Sequence, residues 1–225
     1  MNFDNNPNIK DQNFETWFRN HYHYLILGIL FIFISLPVVA PILMKVGINL
    51  PAKVIYWIYG FFCHQLPFRS WFLFGTQPFY PLASAGLNNI HSFESVFHQT
   101  TIDFGSVRII VGNSDTGFKI AICQRDIAMY SSLLAFGILF ASRNRNINRI
   151  PFWIWILIGV IPIGLDGITQ YLGNLPLPFF GAMMRESTPA LRTITGCLFG
   201  LFSGWYIFPT LESTINKNSI SKPEL

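Results

Sequence analysis

The chain has 225 residues, of which 51% are hydrophobic, 16% aromatic and only 12% charged. A soluble globular domain carries about 25% charged residues, so this composition excludes an ordinary water-soluble protein. The formal net charge of +4 does not indicate nucleic-acid binding, because the basic residues lie in short connections between apolar runs. The composition predicts an all-α integral membrane helix bundle in the cell membrane.

Apolar runs in chain order predict four to five spans. The first covers residues 22–46, after an N-terminal tail of residues 1–21. The second run, residues 54–75, is interrupted by His64, Pro67 and Arg69, so it is either a broken span or a half-helix followed by a surface segment. The remaining spans are predicted at residues 126–141, 151–172 and 189–208, within a membrane domain of residues 22–211 that precedes a C-terminal tail of residues 212–225.

Residues 76–117 form the longest polar stretch and predict a small cap outside the membrane. Asn89 is a suitable N-cap for a short helix that places Ile90, Phe93 and Phe97 on one face. Two β-prone runs, residues 107–111 and 118–122, flank a turn-forming segment, which is typical of a β-hairpin. The cap is therefore expected to contain a short helix and a β-hairpin.

The connection at residues 143–149 sets the predicted orientation. It holds three arginines and no acid, which favours the cytoplasmic side of the membrane. The segments near residues 126, 166 and 189 then lie on the external face. Four polar clusters fall at that level: Cys63-His64-Gln65 with Arg69-Ser70, Cys123 with Arg125-Asp126, Asp166 with Gln170, and Arg185, Ser187 and Arg192.

Ionisable groups at this depth are costly and usually face the bundle interior. Asp166 is the best single candidate for a catalytic carboxylate, and Gln170 shares its helix face because the two are four residues apart. Arg69, Arg125 and Arg192 are predicted to hold an anionic group such as a lipid phosphate. The alternative is that arginines and acids only pair with each other and lock the helices together.

Cysteine and histidine side chains in these clusters suggest a metal site. Cys63, His64 and Cys123 have the ligand types of a zinc or copper site, and Asp126 or Asp166 could complete the set. No Cys-x-x-Cys pair supports this interpretation. A disulfide between Cys63 and Cys123, or two unlinked buried thiols, explains the same residues.

Three glycines lie on one face of the last span at intervals of four residues, namely Gly196, Gly200 and Gly204. Such a ridge lets helix backbones approach closely. It predicts a packing surface, within the chain or in a homo-oligomer or membrane complex.

The ordered motifs resemble a family of small prokaryotic multipass membrane proteins that is catalogued as a domain of unknown function. The resemblance rests on Cys-His-Gln-x-Pro-x-Arg-Ser from Cys63, Cys-x-Arg from Cys123, Asp-Gly-x-x-Gln from Asp166, and Ser-x-x-x-Leu-Arg-x-x-Thr-Gly from Ser187. It implies that the four clusters form one motif set, and it carries over no activity. The chain departs from the pattern at Phe68, where an acid often stands, and in the insertion at residues 76–117.

The leading hypothesis is an enzyme or binding site at the external membrane interface, where the arginines hold an anionic group and Asp166 or the Cys/His set acts on it. A transporter or channel component is the second hypothesis, although no inverted repeat supports it. An accessory subunit of a membrane complex is the third, with the glycine ridge and the cap as contact surfaces.

Overall fold

The computed structural model of the chain describes residues 7–99, 102–173 and 186–220, with side chains at 14–99, 102–172 and 186–216. Arg185 and the outer parts of both predicted tails lie outside the described residues. The helices are α1 (Pro7–Lys45), α2 (Asn49–Tyr59), α3 (Phe93–Phe97), α4 (Phe104–Val107), α5 (Gln124–Ser142), α6 (Phe152–Ile154), α7 (Ile161–Gly173) and α8 (Pro189–Ile220), and the strands are β1 (Ser70–Leu73), β2 (Gly112–Asn113) and β3 (Gly117–Cys123).

Among the described residues, three helical stretches are long and apolar enough to cross a bilayer: Phe14–Lys45, Phe152–Leu172 and Pro189–Asn216. The predicted number of four to five spans is therefore not confirmed. Helix α5 matches the predicted third span in position, and its 19 residues would extend about 28 Å. Its first turn carries Arg125 and Asp126, which lowers its mean apolarity.

The second apolar run does not form a span. Helix α2 has 11 residues and is therefore only about 16 Å long, roughly half the thickness of the hydrocarbon core. The chain then leaves the helix, makes a 3-10 turn at Pro67–Arg69 and enters β1. Of the two alternatives, the half-helix followed by a surface segment is the correct one.

The cap contains a three-stranded antiparallel sheet in the order β1-β3-β2. A hairpin of β2 and β3 is present as predicted, but its first strand is Gly112–Asn113, within the predicted turn, and residues 107–111 form no strand. Strand β1, contributed by the second apolar run, was not predicted. The predicted short helix is α3, which is capped by Ser92 rather than by Asn89.

Lys119 on β3 ties the cap to the segment after α2. Its side chain is fully buried, and its Nζ donates hydrogen bonds to the carbonyl oxygens of Gln65, at 2.7 Å, and Arg108, at 2.6 Å. Burial lowers the pKa of this ammonium group to about 7. Tyr56 on α2 donates to the backbone oxygen of Lys119, so α2, β3 and the segment after α2 form one unit.

The glycine ridge on α8 packs against α5 in the same chain, and the two helices run parallel. A Cβ atom at Gly200 would lie 1.9 Å from the Met129 carbonyl oxygen, and one at Gly196 would lie 2.5 Å from the Arg125 carbonyl oxygen. At Gly204 the nearest atom would be Phe136 Cβ, at 3.0 Å. The predicted packing surface is thus found inside the chain, and a homo-oligomer stays a prediction that a single chain does not test.

The start of α1, the connection after α5 and the last part of α8 meet at one end of the bundle, which we call the basic-loop end. Arg145 donates to the Arg19 carbonyl oxygen at 3.1 Å and lies 3.6 Å from the Glu212 carboxylate, which also accepts a hydrogen bond from Tyr22. The cap and the described residues of the four polar clusters lie at the opposite end, which we call the cap end. Because α2 is a half-helix, both described ends of the chain lie at the basic-loop end.

We expect Gly200→Leu to destabilise the protein by about 1–3 kcal/mol or more, because a side chain there must separate two backbones in contact. Leu201→Ala is the control, since Leu201 is the next residue of α8 and its side chain is 38% exposed. Thermal unfolding of both variants in the same detergent is the measurement. Equal melting temperatures would contradict the packing of α8 on α5.

Candidate functional site

Glu186 is the centre of the ion-pair network at the cap end. Its carboxylate accepts two hydrogen bonds from the Arg69 guanidinium, at 2.8 and 3.0 Å, and a further hydrogen bond from Arg192. Gln170 donates a fourth at 2.6 Å. Glu186 is 4% exposed and Arg192 is 1% exposed. Buried charges of this kind require partners, because an unpaired one costs several kcal/mol.

Gln170 joins Glu186 to a second ion pair. Arg125, in the first turn of α5, pairs with Asp166 on α7, and it also lies 3.5 Å from the Gln170 side-chain oxygen. Asp166 and Gln170 share a helix face, as their spacing predicted. The Gln170 side-chain amide therefore accepts a hydrogen bond from Arg125 and donates one to Glu186, the carboxylate that pairs with the other two arginines.

Arg192 also connects the network to the cap. One of its amino groups lies 3.4 Å from the Phe68 carbonyl oxygen and 3.3 Å from the Gln124 side-chain oxygen. Gln124 in turn donates to the Ser70 carbonyl oxygen at 3.1 Å. The segment that begins β1 is thus held against α5 and α8 by a fully buried guanidinium.

The network borders a cavity of about 230 Å³ at the cap end. Arginines occupy one part of its wall, and the side chains between α2 and β1 occupy another. The residues that line it are Phe62, Cys63, His64, Gln65, Leu66, Arg69, Cys123, Arg125, Asp126, Gln170 and Arg192. All of the predicted site residues except Asp166 line this one cavity, and Asp166 lies behind Arg125.

Three of the predicted metal ligands come together in the cavity wall. One ligand atom each from Cys63, Cys123 and Asp126 lies within 4.8 Å of the others. His64 lines the same cavity but is not part of this group. All three cysteines of the chain are free thiols. The hydrogen bond with Cys63, together with burial, raises the pKa of the Cys123 thiol well above its ordinary value.

Two donors at the cavity lack partners. Among the residues that the structure describes, none accepts a hydrogen bond from Nε of Arg125 or from Nε of Arg192. Buried guanidinium nitrogens are normally satisfied. Both nitrogens are buried, so they are unsatisfied without being exposed to the cavity.

The sequence interpretation did not single out Glu186, although this residue holds two of the three predicted arginines. The signal that points to it is charge balance. The four clusters hold four arginines, Arg69, Arg125, Arg185 and Arg192, but Asp126 and Asp166 are the only acids named in them, which leaves positive charge without a partner. Glu186 directly precedes the Ser187 motif, and it is the acid that supplies the missing charge.

Residues 114–206 match a family described as predicted membrane protein, DUF2085. The chain is also similar to uncharacterized protein MJ1492 of Methanocaldococcus jannaschii, with 26% identity over 164 residues, which cover 72% of either chain. No solved structure matches the chain. These findings confirm the resemblance to a family of membrane proteins of unknown function, and the family match includes Cys123, Arg125, Asp166 and Arg192.

We expect Glu186→Gln to destabilise the protein by about 3–5 kcal/mol, because it leaves Arg192 buried without its main counter-charge. Asp115→Asn makes the same change of charge at an exposed cap position and serves as the control. The measurement is the thermal unfolding of both variants in detergent. A Glu186→Gln protein as stable as the control would show that the network does not stabilise the fold.

Proposed function

We propose that this membrane protein binds a phosphate-bearing anion, the headgroup of a membrane lipid, in the cavity at the cap end. The observation that carries the proposal is the cavity wall, where the side chains of Arg69, Arg125 and Arg192 converge. Guanidinium groups present several donors in a planar arrangement that matches phosphate oxygens. Cys63, Cys123 and Asp126 line the same cavity, so any group that acts on the bound anion is expected there.

Charge balance supports a phosphate held by hydrogen bonds rather than by a large excess of positive charge. Glu186 and Asp166 pair with the three arginines and hold the guanidinium groups in place, and Asp126 adds a third carboxylate to the cavity wall. Fixed donors lose little side-chain entropy on binding, which favours affinity. The carboxylates therefore act as positioning groups for the arginines.

The size of the cavity and its surroundings support a lipid as the source of the anion. A volume of about 230 Å³ is below the range of about 300–1,000 Å³ that is usual for drug-sized ligands, so the cavity fits a headgroup and not a whole lipid. A neighbouring cavity of about 200 Å³ shares Phe62, Cys63 and His64 with it. Phe61 and Phe62 are 73% and 64% exposed, and they present an apolar surface for acyl chains beside the polar wall.

Orientation is the second part of the proposal. We place the basic-loop end in the cytoplasm, because the connection at residues 143–149 holds three arginines and no acid. Helix α5 then crosses the membrane as a fourth span, parallel to α8, and the cap and the cavity lie outside. The parallel packing along the glycine ridge supports a crossing by α5.

Purified protein should bind phosphatidylglycerol in preference to phosphatidylcholine, and Arg69→Gln should weaken this binding about tenfold through the loss of a charge-assisted hydrogen bond. Native mass spectrometry in detergent with each lipid is the measurement. Arg149→Gln is the matched control, since Arg149 lies over the Tyr206 ring at the other end of the bundle. Displacement of the lipid by millimolar inorganic phosphate would identify a free anion as the ligand. Equal binding of both lipids by native protein and variant would contradict the proposal.

The orientation predicts that a cysteine introduced by Asn146→Cys is protected from an impermeant maleimide in intact cells and is labelled only after lysis. Ser114→Cys, in the exposed turn of the cap, should be labelled in intact cells. Both are made in a chain whose three native cysteines are replaced by serine. Labelling of Asn146→Cys before lysis would invert the topology.

A further inference from the structure

We infer that Cys63, Cys123 and Asp126 form a zinc site with one coordination position open to the cavity. The three ligand atoms lie within 4.8 Å of one another, and they come from three places: the segment after α2, the end of β3 and the first turn of α5. The inference does not depend on the anion, because the ligands are distinct from the three arginines.

The distances suit a tetrahedral ion. Zinc lies about 2.3 Å from thiolate sulfur and about 2.0–2.2 Å from carboxylate oxygen, which places neighbouring ligand atoms about 3.5 Å apart. Side-chain rotations that move each ligand atom by about 1 Å would bring the three atoms, now within 4.8 Å of one another, to that spacing. The backbone around two of the ligands is also well held, because β3 ends at Cys123 and α5 begins at the next residue.

The ligand set favours zinc over copper. Two thiols attract both zinc and Cu(I), but a carboxylate oxygen is a poor ligand for Cu(I) and a common one for zinc. Binding converts each coordinated thiol to a thiolate and releases its proton to solvent, without any change of oxidation state. Two thiolates and one carboxylate supply a charge of −3 to an ion of +2.

Three protein ligands leave the fourth position of a tetrahedral ion for another group. All three ligand residues line the cavity, so that position faces the space bordered by Arg125 and Arg69. Structural zinc sites use four protein ligands, whereas an open position is typical of sites that bind water or substrate. A zinc-bound water or a substrate oxygen would therefore lie in the same cavity as the guanidinium groups.

The third cysteine, Cys197, lies away from the proposed zinc ligands. Cys197 is exposed on α8, and its sulfur lies 3.9 Å from the Ala128 carbonyl oxygen. It is not part of the metal-competent group. Cys197→Ser is therefore a control that removes one thiol without touching the site.

The test is the metal content of the full chain, purified in detergent without chelator and measured by inductively coupled plasma mass spectrometry. We expect one zinc per chain, at least a fivefold loss of zinc in Cys63→Ser and in Asp126→Asn, and no loss in Cys197→Ser. Cobalt substitution should give sulfur-to-cobalt charge-transfer absorption in native protein, reduced in Cys63→Ser. Because Asp126→Asn keeps both thiols, it separates a lost ligand from a misfolded cysteine variant.

Three results would overturn the inference. An intact mass two hydrogens lower, with only one alkylatable thiol per chain, would show a disulfide between Cys63 and Cys123. If the chain is incubated with stoichiometric zinc, binds no metal and still has three reactive thiols, Cys63 and Cys123 are unlinked thiols that do not bind zinc. Equal zinc loss in Cys197→Ser would place the metal elsewhere.

Zinc retained in a protein that does not bind phosphatidylglycerol would support the metal site while it contradicts the proposed lipid binding.

Discussion

The cap end of the molecule depends on one buried carboxylate. Glu186 accepts hydrogen bonds from Arg69, Arg192 and Gln170, which belong to the turn before β1, to α8 and to α7. Each of these polar groups would be costly to bury alone, and the shared carboxylate lets all of them leave water together. The same contact fixes the place where the sheet joins the helices, because Arg192 also reaches the Phe68 carbonyl.

The close approach of α5 and α8 fixes the positions of Arg125 and Arg192 relative to each other along the two helix axes. The Arg125 carbonyl lies against Gly196, so the start of α5 is next to the first turns of α8, which carry Arg192. A larger residue in the ridge would separate the backbones and shift one guanidinium relative to the other. The packing of α8 on α5 therefore controls the geometry of the guanidinium groups in the cavity wall.

The cavity combines three kinds of surface. Paired arginines form one side, two thiols and Asp126 form another, and exposed aromatic residues beside Phe62 border it. Each surface has a simple separate explanation, such as helix locking, unlinked thiols or lipid contact. Their meeting in one small cavity is the basis of the proposal that a lipid headgroup enters the cavity while its acyl chains stay in the membrane interface.

The sequence by itself determined the membrane class, the approximate positions of the long helices and most of the residues that line the cavity, because apolar runs and charged residues within them are local properties. It did not decide whether residues 54–75 cross the membrane, and it missed β1 and Glu186. Those features depend on partners distant in the chain. Strand β1 forms because it pairs with β3, and the role of Glu186 is apparent only from its ion pair with Arg69, which lies 117 residues away in sequence. Only the tertiary structure brought Cys63 beside Cys123 and left His64 out of that group, because side-chain direction after a broken helix is set by packing and not by spacing along the chain.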